Sequence, residues 1–196
     1  MQIDDFVARA ASESERTVTR TVWTTPPEVL AKAAAPGGIK MTDLLSASGR
    51  RVEQRDLRYR HVLGSPASQP TIDAWQGRHH SQSLPADLRA LVLRINGVHL
   101  WANVETGRAY SELAPIEEWD LARVKMYGAA AARKLLDDRY VALSYHQDGA
   151  SFVVLDVESG RYFLMDAAGP DTTTPIASNA SELLDWLWRT RITPKA

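Results

Sequence analysis

The chain has 196 residues, of which 44% are hydrophobic, and its formal net charge at pH 7 is −1. This length and composition predict a folded globular protein, and the near-zero charge gives no overall attraction to nucleic acid. The sequence has no cysteine, which excludes disulfides, thiolate nucleophiles and cysteine-ligated zinc. Residues Met1 to Phe6 are acidic and lack the apolar stretch of a secretory signal, and no run approaches the ~18 apolar residues of a membrane-spanning helix. We therefore expect a cytoplasmic protein with no membrane partner.

The segment from Met1 to Ser68 gives weak signals. Thr17 to Trp23 alternates β-branched residues and predicts a strand, and Leu57 to Leu63 predicts another. Pro26 to Ala35 predicts a short helix that begins at proline and ends before a Pro-Gly-Gly stop. The small, polar stretch Leu63 to Pro70 is typical of a linker. We therefore predict an N-terminal extension, residues 1–68, of unknown fold, and a main domain, residues 69–192.

Two helices are predicted after the linker. Thr71 is placed to cap a short helix that runs toward His79. The second helix follows Ser83-Leu84-Pro85, and Pro85 suits its first turn because the missing N–H would be unpaired there anyway. Asn96-Gly97 ends this helix, since both residues tolerate the left-handed conformation of a C-terminal cap. The apolar residues of the helix share one face, and they are Leu84, Leu88, Leu91, Val92 and Ile95.

Strand signals then alternate with helical ones. Val98 to Val104 alternates apolar and polar residues, Gly107 turns the chain, and Ala109 to Ile116 predicts the returning strand. Ala129 to Leu136 is rich in alanine and predicts a helix. Three further strands with turns at Asp148-Gly149 and Ser159-Gly160 predict consecutive hairpins, and they are Tyr140 to Tyr145, Ser151 to Val157 and Arg161 to Met165.

A closing helix is predicted to begin near Asn179, because Asn179 as the cap and Glu182 three residues on resemble a capping box. Its apolar face carries Ala180, Leu183, Leu184, Leu187 and Trp188. The order helix, helix, hairpin, helix, three-stranded meander, helix is typical of an α+β domain. We predict one antiparallel sheet of about five strands with helices packed on one face, preceded by the N-terminal extension.

A series of short motifs runs from about residue 70 to residue 190. A Leu-Pro pair opens a helix that ends in Asn-Gly, and strands, Gly-containing turns, a strand carrying Asp and a C-terminal helix follow. The motifs are Leu84-Pro85, Asp87-Leu88-Arg89, Asn96-Gly97, Asp148-Gly149, Val154-Leu155-Asp156, Ser159-Gly160 and Leu183-Leu184. In this order the chain resembles the SUKH superfamily, which includes the fungal cell-wall assembly regulators and many bacterial proteins. The resemblance covers about two thirds of the chain and leaves out Ala129 to Ala132 and the N-terminal extension.

The resemblance implies a binding domain and not an enzyme. Many bacterial members look like immunity proteins, which neutralise toxins delivered by neighbouring cells or made by the same strain, and the family has no shared catalytic residues to transfer. The sequence also lacks a nucleotide-binding glycine loop, a nucleophile elbow, an HExxH pair and an EF-hand loop. We therefore expect no catalytic residue, no metal and no cofactor, and a cognate toxin or effector domain as the protein partner. The alternative is a housekeeping regulator or scaffold with no toxin partner.

The histidines and one aspartate favour structural roles. His79-His80 would point about 100° apart on a helix, which is poor geometry for joint metal binding, so we expect solvated side chains at a helix end. His99 and His146 lie on predicted strands and are expected to be buried or half-buried. Asp156 precedes a hairpin turn and is expected to hydrogen-bond the backbone of that turn.

The best candidate for partner recognition is an acidic run between Asn103 and Asp120. An aromatic side chain flanked by acids would anchor a basic partner, since charge speeds association and tryptophan supplies buried area. A solvated helix start is the other interpretation, because acids there also favour the helix dipole. Leu100 and Trp101 must point to opposite faces of their strand, so one is expected near solvent or under a helix. The candidate partner-binding residues are Trp101, Glu105, Glu117, Glu118, Trp119 and Asp120.

The opposite charge is concentrated in the N-terminal extension. Glu53 and Asp56 interrupt a run of arginines in this segment. From Leu57 to Arg60, arginine alternates with other residues, which is typical of the outer face of a strand. We expect packing or pairing with the acidic main domain, and no nucleic-acid partner. The arginines concerned are Arg50, Arg51, Arg55, Arg58 and Arg60.

Overall fold

The computed structural model describes residues 1–25, 51–79, 83–109, 111–122, 138–145, 151–166, 169–170, 174–191 and 193–194. Several sequence predictions lie outside these residues, namely the helices at Pro26 to Ala35 and Ala129 to Leu136, the turn at Asp148-Gly149, and the histidines His80 and His146. Among the described residues, no helix is long and apolar enough to cross a membrane.

Four antiparallel strands form the first sheet, in the order β1-β2-β3-β4. They are β1 (Arg16–Thr24), β2 (Arg51–Leu63), β3 (Val98–Asn103) and β4 (Ser111–Leu113). The first part of β2 pairs with β1 alone, whereas its end, from Tyr59 to Leu63, also pairs with β3. The N-terminal extension therefore adds two strands to the sheet that contains the predicted hairpin. The division into domains after Ser68 stays a prediction.

Five antiparallel strands form the second sheet, in the order β5-β6-β7-β8-β9. They are β5 (Asp120–Leu121), β6 (Tyr140–Tyr145), β7 (Phe152–Asp156), β8 (Arg161–Asp166) and β9 (Gly169–Pro170). The predicted meander is confirmed as β6, β7 and β8. Gly160 has a φ of 68° in the turn between β7 and β8, a conformation that glycine adopts without steric cost.

Four α-helices occur in the described part of the chain, with one short 3-10 helix (Ile116–Glu118) between β4 and β5. The α-helices are α1 (Ile3–Ser12), α2 (Gln69–Arg78), α3 (Ala86–Arg94) and α4 (Ala180–Thr190). The protein is α+β with antiparallel strands, as predicted. The expected single sheet of about five strands is replaced by two sheets, because the 3-10 helix leads the chain out of the first sheet and into the second.

Both predicted helical faces pack into one core. The apolar residues predicted for α3 and for α4 are all buried, and they share a cluster with residues of both sheets. Helix α1, which the sequence analysis did not predict, joins this cluster through Phe6 and Ala10. The ring of Phe6 meets that of Trp188 edge to face at 5.6 Å.

Of the two predicted N-terminal helix caps, one is confirmed and the other is wrong. Asn179 caps α4 as predicted, and its Oδ1 accepts the N–H of Glu182 at 2.9 Å. Helix α2 begins earlier than predicted, because Ser68 and not Thr71 is the cap, and Ser68 Oγ accepts the N–H of Thr71 at 3.2 Å. Serine at this position satisfies a backbone donor that the helix leaves unpaired.

The predicted linker is bound against the end of α3. Gly64 donates its N–H to the carbonyl oxygen of Gly97 at 2.8 Å, and Ala67 donates to the carbonyl oxygen of Val92 at 2.8 Å. A Cβ atom at Gly64 would lie 1.9 Å from the carbonyl oxygen of Asn96, which no side chain can tolerate. We call this contact of Gly64 with Asn96 and Gly97 the Asn96–Gly97 junction.

Substituting Gly64→Ala should destabilise the protein, because the new methyl group meets backbone that cannot move without disturbing the junction. Overpacking typically costs about 1–3 kcal/mol, and we expect the upper end of that range in urea unfolding. The matched control is Gly77→Ala in α2, where a Cβ would meet nothing within 4 Å. It should leave the free energy of unfolding unchanged or raise it by up to about 1 kcal/mol through helix propensity. Equal effects of the two variants would contradict the tight fit at Gly64.

His61 on β2 is buried, with 2% of its side chain exposed, and it connects distant segments. Its Nδ1 accepts the backbone N–H of Trp101 at 3.1 Å, and its Nε2 lies 3.0 Å from a carboxylate oxygen of Glu13. The ring packs 4.3 Å from Trp101 and 5.4 Å from Trp188, and Arg191 stacks on Trp188 and donates to Glu13. Because Nδ1 acts as an acceptor, the neutral ring with its proton on Nε2 satisfies both contacts.

The free energy of unfolding should fall as the pH falls through the ordinary histidine range. Burial lowers the pKa of His61 from its ordinary value of 6.5; Glu13 opposes this and Arg191 and Arg16 reinforce it, so the pKa is lowered overall. The unfolded chain then takes up a proton that the folded protein does not, and stability decreases below pH 6.5. Partial burial alone would raise the pKa of Glu13, but His61 and Arg191 lower it overall. The loss of stability that protonation of Glu13 causes therefore begins only below its ordinary pKa of 4.5.

The variant His61→Gln keeps a donor and an acceptor but does not titrate. Urea unfolding at about pH 7.5 and about pH 5.5 should therefore show a smaller loss of stability for this variant than for the unmodified protein. Equal losses of stability in the variant and in the unmodified protein would show that groups other than His61 cause the pH dependence.

Candidate protein-binding surface

Four carboxylates follow one another where the chain crosses from the first sheet to the second. Glu112 lies on β4, Glu117 and Glu118 end the 3-10 helix, and Asp120 begins β5. Glu117 and Glu118 are exposed, whereas Glu112 and Asp120 are half-buried. We call these four residues the acidic ridge.

Two buried tryptophans hold the backbone of the acidic ridge. Trp119 donates its indole N–H to the carbonyl oxygen of Ala114 at 2.7 Å. Trp75, on α2, donates its indole N–H to the carbonyl oxygen of Trp119 at 3.1 Å. Their rings meet edge to face at 6.5 Å. Because both indoles combine full burial with a satisfied donor, they fix this part of the backbone without help from the carboxylates.

The two tryptophans predicted at the partner surface are therefore not available as anchors. Trp101 and Trp119 are each 1% exposed. Trp101 packs on His61, and the guanidinium carbon of Arg16 lies 4.8 Å from the centre of its ring. Leu100 is buried too, so of the two expected alternatives, near solvent or under a helix, the position near solvent is excluded for both residues. Alternation along a strand cannot reveal that side chains of neighbouring strands cover a ring, as His61 of β2 and Arg16 of β1 do here.

The backbone of Trp101 is itself unusual. Its φ of 55° lies in the left-handed region, which is unfavourable for a large side chain. The N–H of this residue is the one that His61 accepts. The hydrogen bond to His61 is therefore donated by the residue of β3 that has the unfavourable backbone conformation.

Asn96, predicted only as the end of a helix, also holds the acidic ridge. Its Oδ1 accepts the N–H of Ile116 at 2.8 Å, and its Nδ2 donates to a carboxylate oxygen of Glu117 at 2.8 Å. One side chain therefore ties the end of α3 to the first turn of the 3-10 helix. The contact joins residues that are 20 positions apart in the sequence, so no local pattern predicts it.

His79, at the end of α2, is buried and not solvated as predicted. Its side chain is 7% exposed, and its ring stacks on Trp75 at 4.6 Å. Nδ1 lies 2.9 Å from the carbonyl oxygen of Trp75, and Nε2 lies 3.3 Å from a carboxylate oxygen of Asp120. Both partners are hydrogen-bond acceptors. Asp120 is thus engaged within the protein, and Glu117 and Glu118 are its more accessible neighbours.

Two clefts border the acidic ridge, and Glu118 lines both of them. The larger has a volume of about 280 Å³ and lies between Arg78 and His79 on one side and residues Glu117 to Leu121 on the other. The smaller has a volume of about 90 Å³ and lies where β4 meets β6. The ridge therefore stands between two concave surfaces.

Glu105 lies apart from the acidic ridge. It is exposed in the turn after β3, and its backbone N–H donates to Oδ1 of Asn103 at 2.9 Å. It lines neither cleft. The other predicted residues therefore fall into two groups, the exposed or half-buried acids of the ridge and the buried tryptophans, and Glu105 is separate from both.

The arginines of β2 make local ion pairs. Arg55 pairs with Glu53 at 2.9 Å, and Arg58 pairs with Glu15 at 3.6 Å. Among the described residues, these ion pairs stay within the N-terminal extension. The expected packing on the main domain is seen in the backbone, because the end of β2 pairs with β3.

Two structural interpretations from the sequence are confirmed. Asp156 accepts the backbone N–H of Glu158 at 3.1 Å and the hydroxyl of Ser159 at 2.9 Å, and so holds the turn between β7 and β8. His99 on β3 is half-buried, with its Nδ1 3.5 Å from a carboxylate oxygen of Glu112.

Within the described ranges, no group of three or more histidine, aspartate or glutamate side chains is placed to hold a metal ion. The chain matches no protein-family model, and no curated protein matches it. The resemblance to the SUKH superfamily therefore stays a prediction that rests on the motifs and their order.

Substituting Asn96→Ala should lower the free energy of unfolding by about 1–3 kcal/mol, because it leaves the partly buried N–H of Ile116 without its acceptor. Glu117→Gln is the matched control, since it alters only the exposed contact of the same asparagine and should cost less than about 1 kcal/mol. Urea unfolding of both variants measures the difference. A cost for Glu117→Gln as large as that for Asn96→Ala would contradict the role given to the Ile116 hydrogen bond.

Proposed function

We propose that the protein is a non-catalytic binding protein of the SUKH type, an immunity protein that neutralises a cognate toxin by direct binding in the cytosol. The partner is a protein domain with a basic surface, and binding blocks its active site. A basic nuclease would suit this charge.

The observation that carries the proposal is the preorganised acidic ridge. Its backbone is held by buried or partly buried hydrogen bonds from Trp75, Trp119 and Asn96, while Glu117 and Glu118 remain exposed. A surface that is ordered before binding loses little conformational entropy on association. Exposed carboxylates on such a surface attract a basic partner over distance and orient it during the encounter.

The roles of the motif residues support the SUKH-type assignment. Asn96-Gly97 serves as a junction between chain segments, Asp156 and Gly160 form the hairpin turn, and Leu183 and Leu184 lie in the core. The resemblance implies caps, turns and core positions for the matched residues, and the turn and core positions agree with it.

The immunity function is tested by expressing the product of the neighbouring gene in cells. That product should be toxic alone and harmless when this protein is co-expressed, and the two proteins should form a complex that can be purified. A product that is harmless to cells lacking this protein would contradict the immunity function. That result would favour the alternative, a housekeeping regulator or scaffold of the same fold.

Reversing the charge of the acidic ridge should weaken the complex while leaving the fold intact. The variant Glu117→Lys with Glu118→Lys should raise the dissociation constant at least about tenfold at low salt, mainly through slower association. The effect should shrink as salt increases, because exposed charges are screened. The matched control is Asp4→Lys with Asp5→Lys on α1, which changes the net charge equally at two other exposed positions.

Surface plasmon resonance at two salt concentrations, with urea unfolding of every variant, distinguishes the outcomes. Equal weakening by the ridge variant and the α1 variant would indicate a non-specific charge effect. Unchanged affinity of the ridge variant would move the interface to another surface.

A further inference from the structure

The smaller cleft beside the acidic ridge combines an apolar floor with an acidic rim. Ala114, Ala142, Leu143 and Phe152 contribute the apolar surface. Glu112 and Glu118 line the same cleft. We call this cleft the seam groove, because it lies where β4 of the first sheet contacts β6 of the second.

A β-bulge in β6 lies at the seam groove. The pairing of β6 with β7 shifts register between Ala142 and Ser144, so Leu143 is the extra residue. The carbonyl oxygen of Leu143 accepts the backbone N–H of Ala114 at 3.0 Å, and this hydrogen bond joins the two sheets. Bulges bend a strand and re-aim its side chains, and they are frequent beside functional sites. The groove is thus built from main chain at the junction of the sheets.

The size of the seam groove limits what it can hold. Its volume of about 90 Å³ is well below the roughly 300–1,000 Å³ of pockets for small-molecule ligands and cofactors. A volume of this order suits one extended side chain of a partner protein.

The apolar and acidic surfaces of the seam groove together favour one kind of partner side chain. An acidic side chain would be repelled by Glu112 and Glu118. A purely apolar side chain would cover two carboxylates without pairing them, which carries a desolvation cost. His99 does not satisfy Glu112 by a hydrogen bond, because its Nδ1 lies 3.5 Å away and has no hydrogen-bond partner in the described part of the chain. A long cationic side chain satisfies both parts of the groove, since its aliphatic stem packs on apolar surface while its charged end stays at the rim.

We infer that the seam groove is a specificity site that receives one lysine or arginine side chain of the partner protein, with Glu112 and Glu118 binding the charged end. This inference rests on the proposed function for the identity of the partner as a basic protein. It extends that function by naming the groove, the two carboxylates and the kind of side chain that enters.

The groove can be tested on the protein alone with a small probe. The probe is Nα-acetyl-lysine N-methylamide, and its control is Nα-acetyl-norleucine N-methylamide, which lacks the ammonium group. In a nuclear magnetic resonance titration, the lysine probe should shift the backbone amides of Glu112, Glu118 and residues 142–144. The norleucine probe should not. Shifts scattered over the surface, or equal shifts with both probes, would overturn the inference.

Two conservative variants examine the rim. Glu118→Gln and Glu112→Gln should each raise the dissociation constant of the lysine probe about two- to fivefold, the range expected for an exposed ion pair. Asp5→Asn on α1 is the control and should leave it unchanged. A lysine affinity that is unaffected by both rim variants would overturn the role of the two carboxylates. Arginine replaces lysine in a second titration to determine which cation binds more tightly.

Failure of the groove and failure of the proposed function give different results. If Glu112→Gln and Glu118→Gln weaken probe binding as expected but cells remain fully protected from the toxin, the immunity function holds and the groove is not part of the interface. If the probe binds the groove but the neighbouring gene product is harmless, the groove binds a cation and the immunity function is wrong.

Discussion

The Asn96–Gly97 junction is the constraint on which the remaining structure depends. The backbone of these two residues receives the linker at Gly64, through a fit that excludes any side chain. The side chain of Asn96 holds the start of the 3-10 helix at Ile116 and one carboxylate at Glu117. The end of α3, the entry to the first sheet and the crossing to the second sheet are therefore fixed at one place. The position of the acidic ridge relative to the core follows from this contact.

Local signals in the sequence predict the elements whose structure is decided locally. The apolar faces of α3 and α4, the cap at Asn179 and the turn held by Asp156 are all predictable, because helical periodicity and turn chemistry act over a few residues. For the same reason, the carboxylates of the ridge can be predicted as a group, since Glu117, Glu118 and Asp120 are close in sequence. Fold class follows from the order of these elements, whereas the division into two sheets does not.

The features that the sequence does not reveal depend on contacts between distant residues. The burial of Trp119 depends on Trp75, which is 44 residues away. The first part of β2 carries little apolar alternation and is a strand because β1 pairs with it. For Trp101, no sequence pattern indicates that His61 and Arg16 cover its ring.

Helix α1 differs from these features because a local signal for it exists. Ile3, Phe6, Val7 and Ala10 have helical spacing, and this stripe could have predicted the helix. The stripe is only two turns long, and isolated helices of that length are marginal in water. The helix therefore depends on its packing against Trp188 and the rest of the core.

The bulge at Leu143 has a consequence for how such a protein can change during evolution. Main-chain atoms and small or buried residues form the floor of the seam groove. Mutations there would therefore disturb the contact between the two sheets. The rim consists of side chains that contribute little to the core, and Glu118 is exposed. A lineage can therefore exchange one rim residue for another at little cost in stability. Under the proposed immunity function, adaptation to a new toxin would leave the scaffold unchanged and alter only these few positions.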